Sequence, residues 1–385
     1  MTAVLDDALL DDAARLLDTD RRGLLRGAAT AGAQVRATST AADDAGVATL
    51  RGQRPRAVVL LTRPGPSETV SHLLAALIAP TCPAPVVVSA LAPPWLGPLD
   101  VVLASHAGRD GDPADAAVAE AVDRAVRRAA TVVLTGPDHG PATAAAAGRA
   151  LAVVPHLPVP RDLLPPGLDA ATDLGAAFAV FGSLGVLDVD REALADRLDD
   201  EAERNAPRDE AFVNPAKALA LRLAEHTPLL WGTDPVAGAL AEHAVALLAA
   251  HAGTVAHAST LAAVEQLPAL QATVGASAGV DSVFADPFAD PYGDPGPVGL
   301  PPRLLLLTVR EDVGTRRAVG GASARWPAAD LVEIDDPDAA GDSPGREAVR
   351  ACLLASRFAF AASYLGLATG APGSTGVGLP GIPAG

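Results

Sequence analysis

Short apolar runs of strand length alternate with longer segments of helical periodicity along most of the chain. Ala57-Val58-Val59-Leu60-Leu61 is apolar throughout, as expected of a strand covered on both faces. Pro85-Val86-Val87-Val88, Leu99 to Ala104, Thr131 to Thr135 and Leu151 to Val154 repeat the pattern. Helical composition fills the gaps over Glu68 to Ile78, Pro113 to Ala130 and Pro141 to Ala150. In the first of these, Val70, Leu73, Leu74, Leu77 and Ile78 fall on one side. Such alternation predicts right-handed βαβ units and a parallel sheet.

The alternation resumes at Asn214. A helix over Pro215 to Ala224 precedes a strand at Pro228 to Trp231, a helix from Asp234 to Ala252, and strands at Leu304 to Thr308 and Leu331 to Ile334. A long helix, Arg346 to Leu367, closes the pattern. The expected architecture is α/β with two successive parallel sheets of similar size. Its divisions are a helical segment at 1–50, an α/β domain at 51–160, a helical connector at 161–210 and a second α/β domain at 211–369. Within the connector, Asp190 to Arg208 is so charged that it reads as a solvated helix or linker.

Composition narrows the functional classes. A chain of 385 residues with 49% hydrophobic and 3% aromatic residues builds large cores from Ala, Leu and Val. Its net charge of −17 argues against nucleic-acid partners and anionic membranes. Lys217 is the only lysine. Cys82 and Cys352 make neither a disulfide framework nor a zinc site and read as small core residues. The acidic start, Met1 to Asp12, lacks the order of a signal peptide, and no uninterrupted apolar run reaches a membrane span. The expectation is a cytoplasmic protein without metal or cofactor.

Two further stretches stand out. The loop Thr62-Arg63-Pro64-Gly65-Pro66-Ser67 leads from the first strand into a helix N-terminus, which suits an anion. Residues 281–302 repeat Asp-Pro at 286–287, 290–291 and 294–295, a spacing unlike a calcium loop, and read as a stiff exposed insertion. The Gly- and Pro-rich end, 370–385, reads as disordered.

The two tandem α/β halves, with Phe212-Val213-Asn214-Pro215-Ala216-Lys217 ahead of Pro228-Leu229-Leu230-Trp231-Gly232, resemble the bifunctional phosphoglucose/phosphomannose isomerases. These consist of two sugar-isomerase (SIS) domains of three-layer α/β/α type, and the likeness is greatest to the divergent actinobacterial branch labelled TobH. The resemblance implies a homodimer that binds a sugar phosphate. It places Gly65 and Ser67 in the first phosphate loop, where Arg63 and Pro66 replace glycines. It places Ser105 and Gly108 in the second loop, where Ala107 replaces a serine and Asp110 a threonine. It gives Arg161 the place of the arginine that faces the developing enediolate. The family's base, ring-opening histidine and late lysine have no counterpart, leaving His251, His257 and Glu265 as conceivable substitutes. The implied protein keeps isomerase architecture with weakened or lost aldose–ketose isomerisation. The alternatives are an active isomerase with relocated groups, a structural dimeric partner, and an unrelated α/β protein.

Overall fold

The structure, a computed structural model, describes residues 5–277, 300–335 and 340–371. Residues 281–299 of the Asp-Pro stretch and 372–385 of the tail lie outside the described residues.

Two parallel sheets form the framework. The first contains β1 (Ala57–Leu61), β2 (Val86–Ser89), β3 (Asp100–Ser105), β4 (Thr131–Thr135) and β5 (Leu151–Val153), in the order β2-β1-β3-β4-β5. The second contains β6 (Thr227–Gly232), β7 (His257–Thr260), β8 (Pro302–Leu307) and β9 (Asp330–Val332), in the order β7-β6-β8-β9. All pairings are parallel. The second sheet therefore repeats the order of the first with four strands among the described residues. Strand β7 was not foreseen. It is an edge strand, half-buried at every position, and its residues His257-Ala258-Ser259-Thr260 include no apolar run.

Alternation along the strands sends side chains to two layers. Val59 and Leu61 of β1 face the outer helices, packing with Val118 and Val122, whereas Val58 and Leu60 face inward. In the second half Trp231 and Leu306 face outward, and Trp231 meets Trp326 edge-on at 5.2 Å between ring centroids. Leu230, Leu305 and Leu307 face inward. Both inward faces join one continuous core, built on the helices Pro66–Ile78, Ala170–Leu184, Pro235–Ala252 and Pro344–Thr369. Two helices, Pro235–Ala252 and Pro344–Thr369, have the length and apolarity to cross a bilayer. Here most of Pro235–Ala252 and nearly all of Pro344–Thr369 lie buried inside the protein.

The charged segment after Asp190 is a helix, Arg191–Arg204, with one face in the core. Leu194, Ala195, Leu198 and Glu201 are buried, and Arg357 grips the Glu201 carboxylate at 2.7 and 3.0 Å. Its other face carries Glu192, Asp196 and Asp199, all three held by Arg36. The Ala31–Asp44 helix approaches closely at Gly32, where a Cβ would sit 2.6 Å from the carbonyl of Ala195. Of the two cysteines, Cys352 is buried and Cys82 half-buried.

Lys217 ties four parts of the chain together. Asn214 caps its helix by accepting from the Lys217 amide at 3.0 Å. The Lys217 ammonium is fully buried and donates to the carbonyls of Leu10, Pro207 and Asp209 at 2.5, 2.8 and 2.6 Å. The Tyr364 ring lies 5.5 Å away, and its hydroxyl donates to Asn205. Replacing Lys217 with Met leaves three carbonyls without a donor at a cost of about 1 kcal/mol or more each. Urea unfolding of K217M is expected to show a midpoint lowered by about 3 kcal/mol of stability, with the slope unchanged.

Candidate functional site

In the first sheet the strand order reverses between β1 and β3, and the crevice outside the carboxyl ends of these strands is where open α/β sheets take ligands. On one side, Gly65 adopts φ +105°, a conformation that favours glycine, and turns the chain into the helix Pro66–Ile78. No side chain caps this helix, and Ser67 is buried in its first turn. On the other side, Gly108 has φ +77° beneath the β4 loop, where a Cβ would lie 2.4 Å from Pro137.

Arg63 crosses this crevice. Its Nε donates to Asp115 at 2.7 Å and its Nη2 to Asp112 at 2.9 Å, both on the helix Pro113–Arg127 or its cap. Asp115 is fully buried and also accepts from the amides of Ala107 at 3.1 Å and Arg109 at 2.7 Å. Burial pushes this carboxyl up, but Arg63 and the two amides outweigh it and hold it below the usual carboxylate range.

A second arginine, Arg161, lies sealed behind the ends of β3 and β4. Its Nε donates to Asp169 at 2.8 Å, its Nη2 to Asp173 at 2.5 Å, and its Nη1 reaches the Thr135 carbonyl at 3.4 Å. Ser105 donates its hydroxyl to Asp173 at 3.2 Å. Burial raises the Asp173 carboxyl above its ordinary value, and the neighbouring Asp169 adds to the effect against the opposing pull of Arg161. Beside this group, burial and Arg161 push His106 down to about 4. His106 Nε2 sits 3.3 Å from Thr143 Oγ1, and its buried Nδ1 has no partner.

The fold thus gathers Gly65, Ser67, Ser105, Gly108 and Arg161 at one edge of the first sheet. His251 sits at the seam between the halves, its Nε2 3.0 Å from the carbonyl of Pro166, within the segment that joins Arg161 to Asp169. Glu265 is exposed on the outer side of the second sheet, at the end of the short helix Leu261–Val264. His257 lies on the edge strand β7. Asp110 is exposed, and Arg109 is fixed on the carbonyls of Asp162 and Leu164. Sequence reasoning weighed Asp110 as the carboxylate of the second loop and missed Asp112 and Asp115. It also missed Arg63 as a bridging cation, and the pair Asp169 and Asp173. The available signals were two carboxylates at the cap and third position of one helix, and two more spaced four apart.

The second sheet carries a different arrangement. Asp234 caps the helix Pro235–Ala252 through the amides of Val236 and Ala237, and Arg310 beyond β8 pairs with Glu347 at 2.7 Å. Burial raises the Glu347 carboxyl, with Arg310 opposing it. Among the described residues, no group of three His, Cys, Asp or Glu side chains is arranged to hold a metal ion.

No family model and no curated protein matches the sequence. Solved structures do. Tagatose-6-phosphate ketose/aldose isomerase from Escherichia coli superposes with a TM-score of 0.56 at 12% identity, covering 99% of each chain. The C-terminal domain of glucosamine-fructose-6-phosphate aminotransferase from Francisella tularensis gives 0.57 at 10% identity, over 90% of this chain and 96% of that one. Glucosamine-6-phosphate deaminase from Thermotoga maritima gives 0.53 at 13%, over 88% and 93%. The fold is the double SIS-type α/β/α fold. Each of these three proteins is named for a sugar 6-phosphate.

The buried histidines at the seam give this SIS fold a pH dependence. His243, whose Nδ1 lies 2.8 Å from Thr69 Oγ1, and His251 are both pushed down to about 4 by burial. The unfolded chain binds protons on them from about pH 6.5 downward while the folded chain does not, so stability is full above 6.5 and falls toward pH 4. Each histidine contributes at most about 3 kcal/mol to that loss. Chemical denaturation of H251Q between pH 7 and 4.5 (about the accessible span) is expected to show a shallower decline than the parent protein.

Proposed function

We propose that this chain is an SIS-fold protein that has lost aldose–ketose isomerase catalysis and binds a carbohydrate phosphate only weakly. Within the fold we place it beside the bifunctional phosphoglucose/phosphomannose isomerases, as a cytoplasmic homodimer without metal or cofactor. The observation that carries the reading is the state of the crevice cations. Arg161, to which the resemblance gives an enediolate-facing role, is engaged by Asp169 and Asp173, and Arg63 by Asp112 and Asp115. Two cations are thus enclosed by four carboxyl groups, a setting that favours neither a phosphate dianion nor a developing enediolate.

The proton-transfer groups support the same reading. Isomerisation through an enediol needs a base beside the substrate carbon, and a missing base costs about 10²–10⁴ in rate. His251 is sealed on the Pro166 carbonyl, and Glu265 stands exposed on the outer layer of the other half. Gly65 and Ser67, at a helix N-terminus without a side-chain cap, are the groups we assign to residual phosphate contact. A second reading, a structural partner with no small-molecule site, draws on the Arg63 bridge that spans the crevice.

Coupled assays with glucose, mannose and fructose 6-phosphates are expected to give no turnover above background, and E265A and H251A to change nothing. Robust turnover that H251A or E265A abolishes overturns the proposal. A sugar phosphate at about ten times its Kd adds about 1.4 kcal/mol to stability, so millimolar ligand is expected to raise Tm by a few degrees. An unmoved Tm selects the structural reading. Light scattering is expected to return twice the chain mass of 38.6 kDa.

A further inference from the structure

The three donors around Asp115 have the form of an oxyanion receptor. The amides of Ala107 and Arg109 and the Nε of Arg63 converge on one carboxylate from the loops on either side of the β1/β3 crevice. The carboxylate is fully buried, and Arg63 itself is nine-tenths buried. Nothing in the local helix requires this arrangement, because Asp112 already caps the Pro113–Arg127 helix through the amide of Ala114. Asp115 instead reaches back across the turn to donors that belong to the crevice.

We infer that Asp115 is an intramolecular anion that fills this receptor and sets the crevice against phosphate monoesters. Resting on the reading of weakened sugar-phosphate binding above, this names the group responsible. A phosphate dianion entering the crevice competes for the same two amides and the same guanidinium, and meets the Asp115 charge at close range. In a water-poor site that repulsion is large enough to cost a factor of ten or more in affinity, about 1.4 kcal/mol. Asp112 adds a second negative charge on Arg63. Arg109 does not compensate, since its guanidinium is held by the carbonyls of Asp162 and Leu164.

The test uses inorganic phosphate as probe on the full chain. D115N removes the charge and keeps the side-chain shape. It is expected to bind phosphate about tenfold or more tightly than the parent in titration calorimetry. Adding R63Q to D115N is expected to return the affinity to the parent level, because the guanidinium is then the only charged donor. A folded D115N with parent affinity, or a gain that survives R63Q, overturns the inference. Because a buried, triply bonded Asp risks misfolding when altered, the parent protein supplies an independent reading. In amide NMR spectra at millimolar phosphate, the Ala107 and Arg109 resonances are expected to stay in place; their displacement overturns the inference even without a variant. None of these results depends on turnover, so a catalytically active parent defeats the proposed function while leaving the Asp115 measurement to stand or fall by itself.

Discussion

The packing of one apolar helix, Pro235–Ala252, holds the molecule together. Twelve of its eighteen residues are buried, so it has no broad solvent face. It rests on its own sheet, on the closing helix Pro344–Thr369 and on Pro66–Ile78 of the other half. The two halves therefore share a single core, and the crevice loops of the first sheet are held against a fixed wall. Gly167 shows how close that wall lies, since a Cβ there would come within 2.9 Å of Leu247 and 2.8 Å of Pro66. The buried histidines of this helix, His243 and His251, are dry because of it; His243 meets Thr69 of the other half, and His251 meets Pro166 of the connector.

Buried arginines need anions nearby, because a guanidinium removed from water loses solvation that only close carboxylates and carbonyls replace. The structure meets that need internally. Arg161 is held among Asp169, Asp173 and the Thr135 carbonyl, and Arg63 between Asp112 and Asp115. Arg63 joins the loops after β1 and β3, and Arg161 ties the segment after β5 to the end of β4, so they stabilise the carboxyl edge of the sheet. On the proposed reading, the same pairings leave these cations unavailable to an anionic ligand, so stability of the edge works against affinity for a phosphate.

The chain has the SIS fold at only 10–13% identity to the three structures described above. Parallel topology depends on the alternation of apolar strands and amphipathic helices, which many sequences satisfy, whereas chemistry depends on a few side chains. Lys217 illustrates the separation. It belongs to the Asn-Pro-Ala-Lys segment that carries the family resemblance, yet its ammonium is consumed by three backbone carbonyls that knit the N-terminal segment, the connector and the second half.

Most strands and the long helices were legible from apolar periodicity, because each pattern lies within one segment. Strand β1 and the Pro235–Ala252 helix fall within a residue of their expected positions. The edge strand β7 escaped because His257-Ala258-Ser259-Thr260 contains no apolar run, unlike the equally half-buried Val86-Val87-Val88 of β2. The inner face of Arg191–Arg204 was hidden by charges that Arg36 and Arg357 neutralise from more than 150 residues away. The crevice followed the same division. Gly65, Ser67, Ser105, Gly108 and Arg161 were nameable only through the family resemblance, and their partners were not nameable at all. Arg63 meets Asp115 across 52 residues, and His251 meets Pro166 across 85. Sequence alone determined where chain reversals and helix starts fall, since backbone preferences are local. Which carboxylate each arginine takes was decided only by tertiary structure, because that choice depends on loops brought together by the closing of the sheet and on the water their contact excludes.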